Sequence, residues 1–273
     1  MFFYLILALF GGLAGVTTVL FGFGGGFVVV PLLYTALIAA HGAQSPTGLV
    51  AMQIAVATST CVMIFGAALA TRRHHLAGTL DWQQIRPLLA PIAVGSLLGA
   101  GAATLVQGQW LRWAFVVYLG LTILDCLFRS GFMSTAAPTG RRVSTAANTL
   151  TGIVIGSIAA CLGVGGSVMT VPLMRRRGVP MTQATAMANP LSLPVALAGT
   201  AAFVLFGWDD ASALGNWHAG YVDVRAFLVL VTGSWLGIRL GARFIGCIPD
   251  AVHARVYLVL LSLVLIAMVV RVS

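Results

Sequence analysis

Lysine and glutamate are absent from this 273-residue chain: all 15 basic residues are Arg, and all 6 acidic residues are Asp. We attach no mechanism to the missing types, which read as codon bias. The scarcity of charge of any kind is more telling. Only 8% of residues are charged and 59% are hydrophobic, whereas a soluble domain carries about a quarter charged residues. That excludes an ordinary soluble domain, and the apolar runs leave no room for one beside them. The net charge of +9 sits on no basic stripe of a polar domain, so nucleic acid is not an expected partner. The arginines read instead as topology signals in short cytoplasmic loops.

Other absences narrow the function. Cys61, Cys126, Cys161 and Cys247 form no C-x-x-C pair and each lies in an apolar run. They read as small buried hydrophobes, with no disulfide framework or metal site. His41, His74, His75, His218 and His253 fall in loops or at segment ends, so neither haem nor zinc is indicated. No H-E-x-x-H or G-x-S-x-G motif occurs. No cofactor is expected, and an enzyme would need a reactive constellation that is missing. No carboxylate lies deep in an apolar run. Asp125 stands near the end of its segment, four residues before Arg129, where an i,i+4 ion pair is expected. A cation transporter or carboxylate proton relay places Asp or Glu within the membrane, so neither fits.

What is present is a series of continuous apolar runs, long enough for bilayer-spanning helices and too unbroken for barrel strands. The first covers 2–21, is interrupted by Gly22-Phe23-Gly24-Gly25-Gly26, and resumes at 27–40. Runs at 47–70, 87–106 and 110–128 follow. A polar stretch at 129–146 reads as a cytoplasmic linker. Then 147–162 is interrupted by Gly163-Val164-Gly165-Gly166 and resumes at 167–174, followed by 182–206, 224–246 and 253–271. No basic residue precedes the run from Phe2, and the motif at Gly22 is no cleavage site, so this run is expected to be retained structure. The organisation is thus a first transmembrane repeat at 1–128, the linker, and a second repeat at 147–273.

The two halves repeat each other. Residues 21–33, FGFGGGFVVVPLL, align without a gap on 162–174, LGVGGSVMTVPLM, matching at Gly22/Gly163, Gly24/Gly165, Gly25/Gly166, Val30/Val171, Pro31/Pro172 and Leu32/Leu173. Farther along, GSLLG at 95–99 resembles GSWLG at 233–237, each in the third element of its half. Arginine placement puts the loop after Arg72-Arg73, the linker, and the exit after Arg175-Arg176-Arg177 inside; Arg239, Arg243 and Arg255 mark a last inside loop. The stretch 207–223, with Asp209, Asp210, Asp223, Trp208, Trp217 and Tyr221 but no Arg, reads as outside with an aromatic belt. Segment 147–174 then enters and leaves from inside, as a hairpin whose return arm is only about 12 Å long. By analogy 2–40 is a hairpin open to the outside, although 2–21 is long enough to span. The expected fold is all-α and polytopic: two inverted-topology repeats, each a glycine-broken helical hairpin followed by three transmembrane helices.

Glycine costs a helix about 1 kcal/mol against alanine, so a run of it inside an apolar segment implies a turn or a close approach. A new helix is expected to start after each break, near Phe27 and near Ser167. Its first amides lack internal partners and carry the positive end of the dipole. Two such starts meeting near the midplane would bind an anion. The alternative is that the glycines only permit tight packing. The candidate site is Gly24, Gly25, Gly26 and Phe27 with Gly165, Gly166 and Ser167, and Thr170 as a further hydroxyl. Thr58 and Ser59 in AVATST, and Asn189 in AMANP, lie on the following elements, where interhelical hydrogen bonding is an equal reading. Gln53, one turn earlier, is a weaker candidate.

These paired G-x-G-G-G/S-x-x-x-V-P-L motifs, with AVATST, GSLLGA, AMANP and GSWLGI, resemble the sulfite exporter TauE/SafE family along essentially the whole chain. The resemblance implies a carrier in the bacterial inner (plasma) membrane that exports sulfite, sulfonates or related organosulfur anions from the cytoplasm, with membrane lipids around it. Ser167 replaces the last glycine of the second run, and Asn189-Pro190 replaces the usual Thr-Ser pair. Alternating access would rock one half against the other. A carboxylate carrier and a passive anion channel stand as alternatives, and a homodimer is one open option for assembly.

Overall fold

A computed structural model describes residues 2–129, 132–133, 145–208, 214 and 217–270. Most of the expected linker, and Asp209 and Asp210 of the outside loop, lie outside the described residues. With no water in a bilayer core, each backbone N–H and C=O must find a partner within its own segment, and helix is what the apolar runs form. The first half contains α1 (Phe2–Phe21), α2 (Gly26–His41), α3 (Pro46–Leu49), α4 (Ala51–Leu76), α5 (Trp82–Leu105) and α6 (Gly108–Phe128). The second contains α7 (Thr145–Leu162), α8 (Ser167–Arg176), α9 (Met181–Phe206), α10 (Val224–Gly241) and α11 (Asp250–Val270). Among the described residues 7 helices are long and apolar enough to cross a membrane: α1, α4, α5, α6, α9, α10 (with the 3-10 turn after it) and α11. The chain is an all-α polytopic membrane protein.

Local chemistry moves two boundaries. α4 runs on to Leu76, past the expected end at 70, because Arg72 and Arg73 are good helix formers. Its expected start splits off as α3, where the Ser45 hydroxyl accepts from the Gly48 amide at 2.9 Å and Pro46 opens the helix. One element was not expected: strands His218–Ala219 (β1) and Val222–Asp223 (β2) form a small antiparallel hairpin, turning at Gly220 with φ 58°.

Lipid tails are as apolar as leucine, so helices in a membrane associate through close packing rather than hydrophobic expulsion. Here glycine supplies the closeness. A Cβ on Gly95 or Gly99 of α5 would stand 2.1 Å from Ile153 O or 1.9 Å from Ser157 O of α7. In the other half, a Cβ on Gly233 or Gly237 of α10 would stand 2.3 Å from Ala8 O or 2.0 Å from Gly12 O of α1. The GSLLG and GSWLG motifs therefore do the same work: the third element of each half packs backbone to backbone on the first element of the other half. The halves interlock instead of lying side by side.

Helices α4 and α9 cross at the centre in opposite directions, with Thr60 against Gly199 and Met63 near Ser192. At one end of α9, the Met181 amide donates to Asp250 Oδ1 at 2.6 Å, and Asp250 pairs with Arg175 at 2.9 Å. At its other end the Tyr221 amide donates to Phe203 O at 3.4 Å. The outer ends of each glycine-linked pair lie together. Arg177 donates to Asn148 Oδ1 at 2.9 Å, bringing the exit from α8 beside the start of α7 at the Asp250 end. Tyr4 of α1 and His41 of α2 line one cavity with Trp217 and Arg225 at the other end. α1 has 20 residues, about 30 Å; α8 has 10, about 15 Å, roughly half a bilayer core.

Candidate functional site

The two breaks share their backbone turn. Gly22 and Gly163 have φ 73° and 68°, and Gly24 and Gly165 have φ 66° and 64°. This left-handed region is closed to most side chains, which is why glycine recurs at these places. The third pair diverges: Gly25 has φ 87°, whereas Gly166 is right-handed at φ −67°. The new helices begin at Gly26 and Ser167, and neither start has a side-chain cap. Their first amides are the uncapped positive ends that the sequence led us to expect.

The breaks converge. A Cβ built on Gly24 would meet Met63 S at 2.8 Å and Ser192 Oγ at 3.4 Å; one on Gly165 would meet the same two atoms at 2.7 and 3.1 Å. Gly26 lies so close to the opposite break that a Cβ there would stand 2.4 Å from Gly163 O and 2.8 Å from Ser59 Oγ. Ser59 Oγ itself donates to Gly163 O at 3.1 Å. Gly24, Gly26, Gly165 and Ser59 are thus one cluster, with Met63 and Ser192 between the breaks. Sequence reading missed these two; the signal was available only as helical register, since Val56, Ser59 and Met63 share one face of α4.

All ten candidate residues are buried, but not all join the cluster. The Phe27 ring stacks on Phe23 at 4.5 Å, and Phe23 stacks on Tyr257 at 4.8 Å, so that side chain serves an aromatic wall. Tyr257, also missed from the sequence, donates from its hydroxyl to Ser167 O at 3.4 Å and ties α11 to the second break. Thr58 Oγ1 accepts from the Asp223 amide at 3.0 Å, so it holds the β1–β2 hairpin. Ser167 Oγ and Thr170 Oγ1, on the first turn of α8, have no hydrogen-bond partner. On the neighbouring α9, Asn189 donates to Thr185 O at 3.3 Å and leaves its own oxygen unpartnered. A buried polar atom without a partner costs about 1–3 kcal/mol. Three such atoms lie on the adjoining helices α8 and α9, as candidates for partnering by a ligand's own polar atoms.

At the Asp250 end, arginines first read as topology signals also hold structure. Arg175 is fully buried, donates to Phe132 O at 3.0 Å and to Val179 O at 3.2 Å, and pairs with Asp250. Arg176 pairs with Asp125, which also meets Arg129 at 3.6 Å in the expected i,i+4 pair. The end of α1 is covered by two histidines: Val19 O and Leu20 O accept from the Nε2 atoms of His74 and His253 at 2.7 and 2.8 Å.

A family model described as sulfite exporter TauE/SafE matches residues 7–268. The chain belongs to the TauE/SafE family. Similar proteins include a probable membrane transporter protein of Haemophilus influenzae, 26% identical over 98% of this chain and 99% of its own length. Probable membrane transporter protein YunE of Bacillus subtilis is 24% identical over 88% of this chain and 87% of its own length. A probable membrane transporter protein of Methanocaldococcus jannaschii is 22% identical over 87% and 86%. No solved structure matches the chain. As a TauE/SafE member this chain is a membrane transporter, and the glycine breaks are the repeated element around which its candidate site is built.

Proposed function

We propose that this transporter exports small oxyanions, sulfur-containing ones first among them, from the cytoplasm of a bacterial cell across its plasma membrane. The observation that carries the reading is the meeting of the two glycine breaks, Gly24 and Gly165, at Met63 and Ser192, each break leading into an uncapped helix start. Backbone amides hold an oxyanion without an opposing fixed charge, which lets it leave again. The hydroxyls of Ser167 and Thr170 add donors, and the Asn189 oxygen adds an acceptor, a combination suited to an oxyanion that still carries a proton.

We also infer an inverted-topology repeat, in which α1–α2 and α7–α8 are hairpins open to opposite sides. The antiparallel crossing of α4 and α9 supports this. The bodies that rock are then not the two sequence halves. On this reading α10 moves with α1, α2 and α4, and α5 moves with α7, α8 and α9, because close glycine contacts join α10 to α1 and α5 to α7. The test is flux in proteoliposomes loaded with sulfite, sulfate, a sulfonate or a carboxylate. Saturable efflux with counterflow, favouring sulfite or sulfonate, is the expected result. Non-saturating flux without counterflow would point to a channel, and carboxylate preference to the other carrier reading.

A further inference from the structure

At the end of the molecule where the β1–β2 hairpin lies, a cavity of about 820 Å³ opens between α2, the start of α4 and the junction of α5 with α6. Arg112 lines it from the second turn of α6. Its Nη1 donates to Tyr34 Oη at 3.1 Å and its guanidinium lies 5.9 Å from the Tyr34 ring centroid. Its Nε is buried with no partner, and among the described residues no carboxylate pairs with it. No Asp lines the cavity. Gln53, only 6% exposed, lines the same space. Its amide donates to Val106 O at 3.1 Å, while Oε1 has no partner and sits about where a Cβ on Gly108 would approach it to 3.0 Å. Gly108 and Gln109, whose amides precede the intrahelical ladder of α6, also line the space, and this helix start has no side-chain cap. An unpaired cation, an uncapped helix start and an orphaned acceptor thus share one chamber.

We propose that this chamber is a second oxyanion site, in which Arg112 holds the charged head and Gln53 accepts a hydrogen bond from a protonated or amino-bearing ligand. Its place relative to the breaks gives it a role. Met52, Val56, Ser59 and Met63 follow one face of α4 at helical spacing; Met52 lines the chamber, while Val56 and Met63 touch the breaks. A solute released from the breaks toward this end travels along that face and meets Arg112 next. The guanidinium, a planar fork with donors to spare, is a way station on the exit side. This role on the route rests on the export reading above; the site itself does not.

Calorimetry on purified protein, titrated with sulfite and with sulfate at low and high salt, tests it. Wild type should show two classes of binding, one weakening with salt. Arg112→Gln should remove the salt-sensitive class and keep the other, while Gly165→Val should do the reverse. If Arg112→Gln is not monodisperse, Tyr34→Phe and Arg112→Lys serve instead, each weakening the salt-sensitive class about tenfold. Added phosphatidylglycerol identifies the source of the oxyanion: competition means a lipid headgroup occupies the chamber, and no competition means a soluble anion does. Wild-type isotherms in the Arg112 and Tyr34 variants, or no binding of any probe to wild type, would overturn the proposal. Loss of the Arg112 class with no effect of Gly165→Val would leave this site standing and remove the one at the breaks.

Discussion

Gly25 and Gly166 hold matching places in the repeat, yet their backbones differ, and this changes what a substitution does. At Gly25, φ 87° makes any side chain strained, although a Cβ there would meet only Thr18 Oγ1 at 3.5 Å. At Gly166 the backbone is right-handed, and a Cβ would lie 3.3 Å from Ile155 Cγ2. We expect Gly25→Ala and Gly165→Ala to weaken anion binding about tenfold, or about 1.4 kcal/mol, and Gly166→Ala to stay within about threefold. Calorimetry on monodisperse protein decides; equal loss at Gly25 and Gly166 would mean that repeat position, not backbone conformation, sets the effect. A second residue-scale expectation concerns Arg175. Its charge is fully buried, and Asp250 is its ionic partner. Asp250→Ala leaves that charge unpaired, which in buried pairs costs roughly 3–5 kcal/mol, here lessened because Asp250 is partly exposed. The thermal midpoint in detergent should fall by several degrees, and an unchanged midpoint would show that the Phe132 and Val179 carbonyls suffice. The glycine runs were legible in the sequence because their composition is costly in a helix; their individual φ values were not, because Gly gives no sign of which region it occupies.

Among elements, the glycine stripes of α5 and α10 set the packing, and they separate from ordinary glycines by what a methyl group would strike. Gly99→Ala drives a Cβ to 1.9 Å from the Ser157 carbonyl, whereas Gly120→Ala on α6 meets nothing within 4 Å. The first should lower the melting midpoint and yield of monodisperse protein; the second should leave both within error. Loss in both variants would indicate that helix propensity rather than contact is at issue. The sequence made the elements readable, since apolar runs of 20 residues have one use in a chain this poor in charge. It also made the repeat readable. Partner choice was hidden. GSLLG and GSWLG announce a close contact, but nothing in the spacing says that each touches the first element of the opposite half. The β1–β2 hairpin was hidden too, because strands of two residues carry no periodicity.

For the whole molecule, the alternating access proposed above makes interlocking a matter of which parts move against each other. A reducible thiol crosslinker joining cysteines at Leu13 and Leu236, the exposed neighbours of the Gly12–Gly237 contact, should leave sulfite flux near normal if α1 and α10 ride in one body. One between α4 and α9, at Met63 and Ser192, should stop it and be reversed by reductant. Flux stopped equally by both would assign α10 to the other body. The same exchange of arms also dictates how the protein must come into being. Gly12 meets Gly237 across α1 and α10, so at a synthesis rate of about 5–20 residues per second the first helix waits roughly 10–45 s for its mate. During that interval its small-residue face stands in lipid with no neighbour to fit it. An N-terminal half made alone would keep both α1 and α5 in that unmatched condition and fall to quality-control proteases. Two halves translated from separate messages, cut within 130–144, would rescue each other only by trading helices.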